Sequence, residues 1–212
     1  MLVEQIMQSK LLTVSPGTTL SEAIRLMRER GVRHLPVVEH ERLVGIISDR
    51  DLKRAMVSPA TSLDIREVNA LLARSPISEI MTRTVMTVPP NAPVEDAARL
   101  LVRERISALP VTLAGRLIGI VTETDVLTLL VRALGAVEPS SRLDVTLPPT
   151  RSALAEVVRI VEETGMAISS LMTLVGRDGT REVVVRVPTI DPRRAVHALE
   201  AEGYSVTTPW RG

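Results

Sequence analysis

The sequence predicts a mixed α/β (α+β) protein: two tandem β-α-β-β-α repeats followed by a smaller β-α-β-β-α-β domain. Three observations carry this expectation. Residues 7–53 and 81–127 align without a gap at a constant offset of 74. Each copy alternates strand-like runs with a helical 3.6-residue apolar stripe. After Gly135 the pattern changes, and a different strand and helix order runs to the end of the chain.

The repeat is dense in matches. Met7 corresponds to Met81, Val14 to Val88 and Pro16 to Pro90; Leu35-Pro36-Val37 corresponds to Leu109-Pro110-Val111. Gly45-Ile46-Ile47-Ser48 corresponds to Gly119-Ile120-Val121-Thr122, and Asp51 to Asp125. Self-similarity at a fixed period sets the architecture before any single element is read.

The elements follow in order. Leu12-Thr13-Val14 and Val85-Met86-Thr87-Val88 read as short extended pieces, each followed by a proline turn. A helix is expected over Leu20–Arg30: Thr19 with Glu22 forms a capping-box signature, Gly31 suits the C′ position, and Leu20, Ala23, Ile24 and Met27 form the buried stripe. In the second copy Pro93 stands near the helix start, where a missing N–H costs little. Two strands follow in each copy, Leu35–Val38 with Leu43–Ile47 and Leu109–Leu113 with Leu117–Val121, the second pair joined through Ala114-Gly115. A closing helix then starts behind Ser48 or Thr122, with Asp51 or Asp125 in its first turn. Between the copies, the stretch from Pro59 to Leu63 reads as a linker into a short helix over Arg66–Ala73.

The last third begins with a linker from Ala136. Arg142–Leu147 alternates as a strand, Ser152–Glu163 reads as a helix with Leu154, Val157, Val158 and Val161 on one face, and Gly165 ends it. Ala167–Val175 and Glu182–Val187 are expected as strands joined through Gly176-Arg177-Asp178-Gly179, a hairpin signal. Asp191 is expected to cap a second helix with Pro192 at its first position and Gly203 at its close, before a final strand over Tyr204–Thr208. Val183-Val184-Val185 is apolar enough to need cover on both faces.

Composition excludes several function classes. Twenty-six basic residues balance 25 acidic ones, so no charge excess points to nucleic acid or to an anionic membrane. Phe is absent and the only aromatics are Tyr204 and Trp210, which removes the stacking platforms that single-stranded nucleic acid needs. Arg25, Arg28 and Arg30 share a helix with Glu22 and Glu29 and read as a solvated face. With no cysteine there is neither a disulfide nor thiol chemistry. No apolar run is long enough to span a bilayer and no signal peptide opens the chain, so a cytoplasmic protein without membrane insertion is expected. His34, His40 and His197 fall in no catalytic or metal-binding constellation, and no Walker-type loop occurs. No enzyme is expected.

The chemistry that remains is Gly-x-x-Ser/Thr-x-x-Asp, present twice. A hydroxyl at a helix N-terminus beside backbone N–H groups suits a phosphate, and a carboxylate three residues on accepts from both hydroxyls of a ribose. The same residues are also ordinary capping chemistry, worth about 0.3–1 kcal/mol at a helix N-terminus.

His34-Leu35-Pro36-Val37 with Gly45-Ile46-Ile47-Ser48-Asp49-Arg50-Asp51, and their second-copy equivalents, closely resemble the cystathionine-β-synthase (CBS) domain, which occurs as a tandem pair, the Bateman module. The resemblance spans residues 1–135, with repeat one over about 1–57, a linker helix over about 58–76 and repeat two over about 77–135. It implies that Asp51 and Asp125 bind ribose and that Ser48 and Thr122 lie near ribose or phosphate. By the same resemblance Thr13, Val14, His34 and Leu35 line one site, and Thr87, Val88, Ala108 and Leu109 a second. Arg33 and Arg50 become candidate phosphate contacts. The implied ligand is AMP, ADP or ATP, with S-adenosylmethionine as a further option, and no cofactor is required. If only one site holds a polyphosphate tightly, the one containing Asp51 is expected, since the second copy has Ser107 and Thr124 in place of Arg33 and Arg50. Residues 142–212 resemble an ACT domain of ferredoxin-like topology, although Pro149-Thr150-Arg151-Ser152 departs from that family's glycine-bearing loop. The combination is similar to the acetoin-utilisation B family. It implies a regulatory, homodimeric or higher homo-oligomeric protein acting on an unidentified partner. A ligand-free interaction scaffold is the alternative.

Overall fold

The computed structural model describes residues 1–57, 64–176 and 179–208. Arg177, Asp178 and Trp210, and the linker from Pro59 to Leu63, lie outside the described residues. The chain divides into two compact units, Met1–Val126 and Leu127–Gly212.

In the first unit each copy contributes a helix, a hairpin and a closing helix: α1 (Leu20–Arg30), β1 (His34–Glu39), β2 (Arg42–Ser48) and α2 (Asp49–Val57), then α4 (Val94–Glu104), β3 (Ala108–Leu113), β4 (Arg116–Thr122) and α5 (Glu123–Ala133). Between them α3 (Ile65–Arg74) buries Leu72 against the first copy's core, and Asp64 N donates to Glu67 Oε2 at 3.0 Å at its start. The strands form one sheet in the order β1-β2-β4-β3. The central pair meets at Arg42 opposite Arg116, a residue facing its own equivalent 74 positions on. This places the local two-fold axis of the repeat between β2 and β4. The extended pieces join the hairpins through single parallel bridges, Val14 to Val37 and Val88 to Val111, and form no longer strands.

α1 has the bounds its periodicity implies. Thr19 Oγ1 accepts from Glu22 N at 3.3 Å, Gly31 takes the left-handed conformation at φ 64°, and Arg25 pairs with Glu29 across one turn. In α4 the position equivalent to Gly31 is Arg105, which adopts φ 55° despite its Cβ. The β1–β2 turn likewise holds His40 at φ 47° and Glu41 at φ 62°, where the second copy has Ala114-Gly115. A Cβ in the left-handed region costs about 1–2 kcal/mol. Glu41→Gly is therefore expected to raise stability by about 0.5–1 kcal/mol in urea unfolding, because the exposed Glu41–Arg116 ion pair it removes contributes little.

The two copies are interlocked. Val3, on a 3-10 turn at Val3–Gln5, is fully buried in the core of the second copy, and Val3 N donates to Ala92 O at 2.9 Å. Ile77, on the equivalent turn at Ile77–Glu79, is fully buried in the core of the first, and Ile77 N donates to Thr18 O at 2.8 Å. Each leading segment thus completes the other copy. Gly45 and Gly119 make this possible. A Cβ on Gly45 would stand 2.6 Å from Met81 Sδ and 3.2 Å from Thr82 O, and one on Gly119 would collide with Met7 Sδ in the same way.

The second unit runs β5 (Ser141–Leu147), α6 (Ala153–Glu163), β6 (Ser170–Val175), β7 (Arg181–Val187), α7 (Arg193–Ala201) and β8 (Val206–Thr207). The sheet order β6-β7-β5-β8, antiparallel throughout, is the ferredoxin-like arrangement. Leu143, Val145, Val183 and Val185 pack under Val157, Ile160 and Val161 of α6 and Val196 and Leu199 of α7, while Val184 is 6% exposed on the other face. On α6, Ile160 rather than Val158 completes the buried stripe.

Three boundaries differ from the sequence reading. β6 starts at Ser170 rather than Ala167, and β8 has two residues rather than five. Pro192 is the N-cap of α7; Asp191, one residue earlier, supplies the capping contact, accepting from Arg193 N at 3.2 Å. The guanidinium of Arg193 lowers the Asp191 carboxyl to about 2. The two compact units divide inside α5, between Val126 and Leu127. The last turns of α5 contact the C-terminal sheet, where Ser170 Oγ donates to Ala133 O at 2.8 Å.

Candidate functional site: a cleft shared by the two repeats

Ser48 and Asp51 open α2 as a reciprocal box. Asp51 Oδ2 accepts from Ser48 N at 2.9 Å and from Ser48 Oγ at 2.6 Å, and Ser48 Oγ accepts from Asp51 N at 3.3 Å. Thr122 and Asp125 repeat this at 2.8, 2.7 and 3.3 Å on α5. Both acids are thus helix caps. At Asp51 the box engages Oδ2, and Oδ1 has no partner among the described residues.

Asp51 borders a cavity of about 420 Å³, within the size range of small-molecule sites. From the first copy come His34, Ile46, Ser48, Arg50 and Arg54; from the second come Thr82, Thr84, Val85, Met86, Glu104, Arg105, Ile106, Ser107 and Ala108. Its lining includes the aliphatic side chains of Ile46, Val85, Met86 and Ile106, and three guanidiniums, of Arg50, Arg54 and Arg105, none in an ion pair among the described residues, while Glu104 pairs with Arg103. Helix-start N–H groups are less available than the sequence implied: Asp49 N donates to Arg33 O at 3.0 Å, and those of Ser48 and Asp51 are held inside the box. An anion in this cleft is therefore met chiefly by arginine side chains.

The expected site residues separate into groups. His34, Ser48, Arg50 and Asp51 meet at this cavity, and Ala108, expected in the other site, joins them. Val14 (8% exposed), Leu35 (0%), Val88 (6%) and Leu109 (0%) are core residues and do not face the cavity. Each of the four packs into the hydrophobic core of its own repeat. Thr13 borders a separate cavity of about 330 Å³ with Glu41 and Arg116, and Thr87 is exposed. Thr122 and Asp125 cap α5, and Arg33 donates to Thr124 Oγ1 at 2.9 Å. Arg54, Arg105 and the Thr82–Met86 segment were missed. Their only signal was the repeat itself, which shows that both copies share one geometry but not which copy's leading segment meets which helix.

His34 Nε2 lies 2.7 Å from Ser107 Oγ and ties the copies together beside the cavity. Burial, aided by Arg33 and Arg50 against Asp49 and Asp51, lowers its pKa below 6.5. Below pH 6.5 the unfolded chain protonates this imidazole while the folded chain does not, so stability falls on acidification until the folded value is passed. Urea midpoints measured between pH 7.5 and 5.5 are expected to fall, with a shallower slope in His34→Gln.

Two pseudo-symmetric repeats sharing one sheet, with a cleft between them walled by both, define a paired-repeat module. The model of the CBS domain matches residues 3–58 and 77–132, more than half of the chain, and the chain belongs to the CBS domain family. A CBS domain-containing protein of Dictyostelium discoideum is 37% identical over 142 residues, covering 66% of this chain and 98% of that one. Among solved structures, the CBS domain pair of protein MJ0100, in complex with 5′-methylthioadenosine and S-adenosyl-L-methionine, is similar with a TM-score of 0.53 and 30% identity, covering 61% of this chain and 95% of that one. A Vibrio cholerae structure named for acetoin utilization (AcuB) is similar with a TM-score of 0.54 and 30% identity, covering 64% of this chain and 96% of that one. No helix among the described residues is long and apolar enough to cross a membrane.

Proposed function

We propose that this protein is a regulatory sensor that binds an adenosine phosphate, ADP or ATP before S-adenosylmethionine, in the cleft at Asp51. The observation that carries this is the pairing, in one cavity, of a carboxylate oxygen that the helix cap does not use with three guanidiniums that form no ion pair among the described residues. The oxygen accepts from ribose hydroxyls, the arginines take the phosphates, and Ile46, Val85, Met86 and Ile106 hold the base. The MJ0100 pair, seen with two adenosyl compounds, supports the nucleoside part of this reading. The cationic wall favours phosphates over a sulfonium.

Because the cleft is built from both copies, a bound nucleotide changes the free energy of their mutual arrangement only by differential affinity for two such arrangements. In our reading a partner protein or the ferredoxin-like unit senses that arrangement, and the protein works in the cytoplasm as a homodimer. Leu127, Leu130 and Val131, exposed by 59, 49 and 45% on α5, support association. The ligand-free scaffold remains a second reading, favoured by the complete capping boxes, which give both aspartates a structural role. Calorimetry with AMP, ADP, ATP and S-adenosylmethionine on the full chain decides. Micromolar binding of a phosphate-bearing ligand is expected; no heat with any of the four leaves the scaffold.

A further inference from the structure

The repeat makes the surroundings of Asp51 and Asp125 directly comparable, and among the differences between them one side chain reaches the acid itself. Thr82 lines the Asp51 cavity from an antiparallel bridge, with Thr82 N donating to Ile46 O at 2.9 Å and Ile46 N to Thr82 O at 3.0 Å. Its equivalent, Gln8, makes the same bridge to Ile120 at 2.9 and 3.0 Å. The backbones are superimposable in role, but glutamine is longer. Its Nε2 donates to Asp125 Oδ1 at 3.1 Å, while Oδ2 of the same carboxylate is held by Thr122 N and Oγ1. Both oxygens of Asp125 are therefore engaged, whereas Asp51 keeps one for an incoming donor. A second bridge between the copies, Arg33 to Thr124 at 2.9 Å, ends one residue from Asp125.

We infer that Gln8 is an internal substitute for a ribose hydroxyl, which occupies Asp125, the second copy's equivalent of Asp51, and restricts the protein to one nucleotide per chain. The inference rests on reading the Asp51 cavity as a nucleotide site. The amide supplies the donor that Asp125 would otherwise take from a ligand, so a nucleotide entering there must first displace a charge-assisted hydrogen bond. That competition weakens binding by about tenfold to hundredfold.

Calorimetry and equilibrium dialysis with ADP on the full chain test this. The wild-type protein is expected to take one ADP, and Gln8→Thr, which installs the residue the other copy carries at this position, is expected to take a second one more weakly, because Thr124, Thr128 and Gly31 stand where the Asp51 cavity has Arg50, Arg54 and Arg105. The added site is expected to disappear in Gln8→Thr combined with Asp125→Asn. The reciprocal Thr82→Gln is expected to remove the original site, and serves independently of how well Gln8→Thr folds. Two ADP in the wild type, or one in both wild type and Gln8→Thr, overturns the inference while leaving the Asp51 site standing. No binding in the wild type but one ADP in Gln8→Thr, lost with Asp125→Asn, sustains the inference and overturns the Asp51 reading. No binding by any variant overturns both.

Discussion

Asp51→Asn is expected to weaken ADP binding by about tenfold to hundredfold, the loss of a charge-assisted hydrogen bond of about 1.5–3 kcal/mol, with little change in thermal stability. The substitution separates two jobs of one side chain. Oδ2 of Asp51 accepts from Ser48 N and Oγ and so caps α2. Asparagine keeps one acceptor oxygen for that box and places an amide, which donates, where the second carboxylate oxygen stood. A ribose hydroxyl pair needs an acceptor there. Asp51→Ala is a poorer test, since it also removes the cap, at about 1 kcal/mol. Calorimetry and thermal unfolding of both variants check this. Unchanged ADP affinity in Asp51→Asn, with the fold intact, would mean that the acid serves the helix alone.

Leu35→Ala is expected to cost about 2–5 kcal/mol of stability in urea unfolding, with any loss of ligand affinity explained by the unfolded fraction. Leu35 is completely buried among Val14, Leu20, Ala23, Met27, Val37 and Ile47. Its removal leaves a cavity that close-packed neighbours fill only in part. Leu109 holds the equivalent place in the second core, so Leu109→Ala is expected to behave alike. Against a total of about 5–15 kcal/mol for an ordinary domain, either change takes a large share. A drop in affinity at full folding, without a drop in stability, would return Leu35 to the role of base clamp that the family resemblance implied.

Local elements were legible because their causes are local. Thr19, Glu22 and Gly31 bound α1 by hydrogen bonds and dihedral preferences that act within a turn, and the observed helix has those bounds. The same holds for the Ser48–Asp51 and Thr122–Asp125 boxes. Strand ends were less legible: β8 pairs with β5 at only two positions, Asp144 with Thr207 and Val145 with Val206, and the extent of such pairing is set between strands distant in sequence.

The repeat, its spacing, the two acids at helix starts and the absence of aromatic stacking surfaces were determined by the amino-acid order alone. Which residues meet across the cleft was decided by tertiary structure. Val3 and Ile77 each bury in the opposite copy, Gly45 and Gly119 admit Met81 and Met7 without a Cβ in the way, and this exchange carries Thr82 to Asp51 and Gln8 to Asp125. Capping depends on neighbours three residues apart. The cleft depends on where two interlocked hydrophobic cores come to rest, and burial of apolar surface is non-directional until side chains of particular size and shape select one packing.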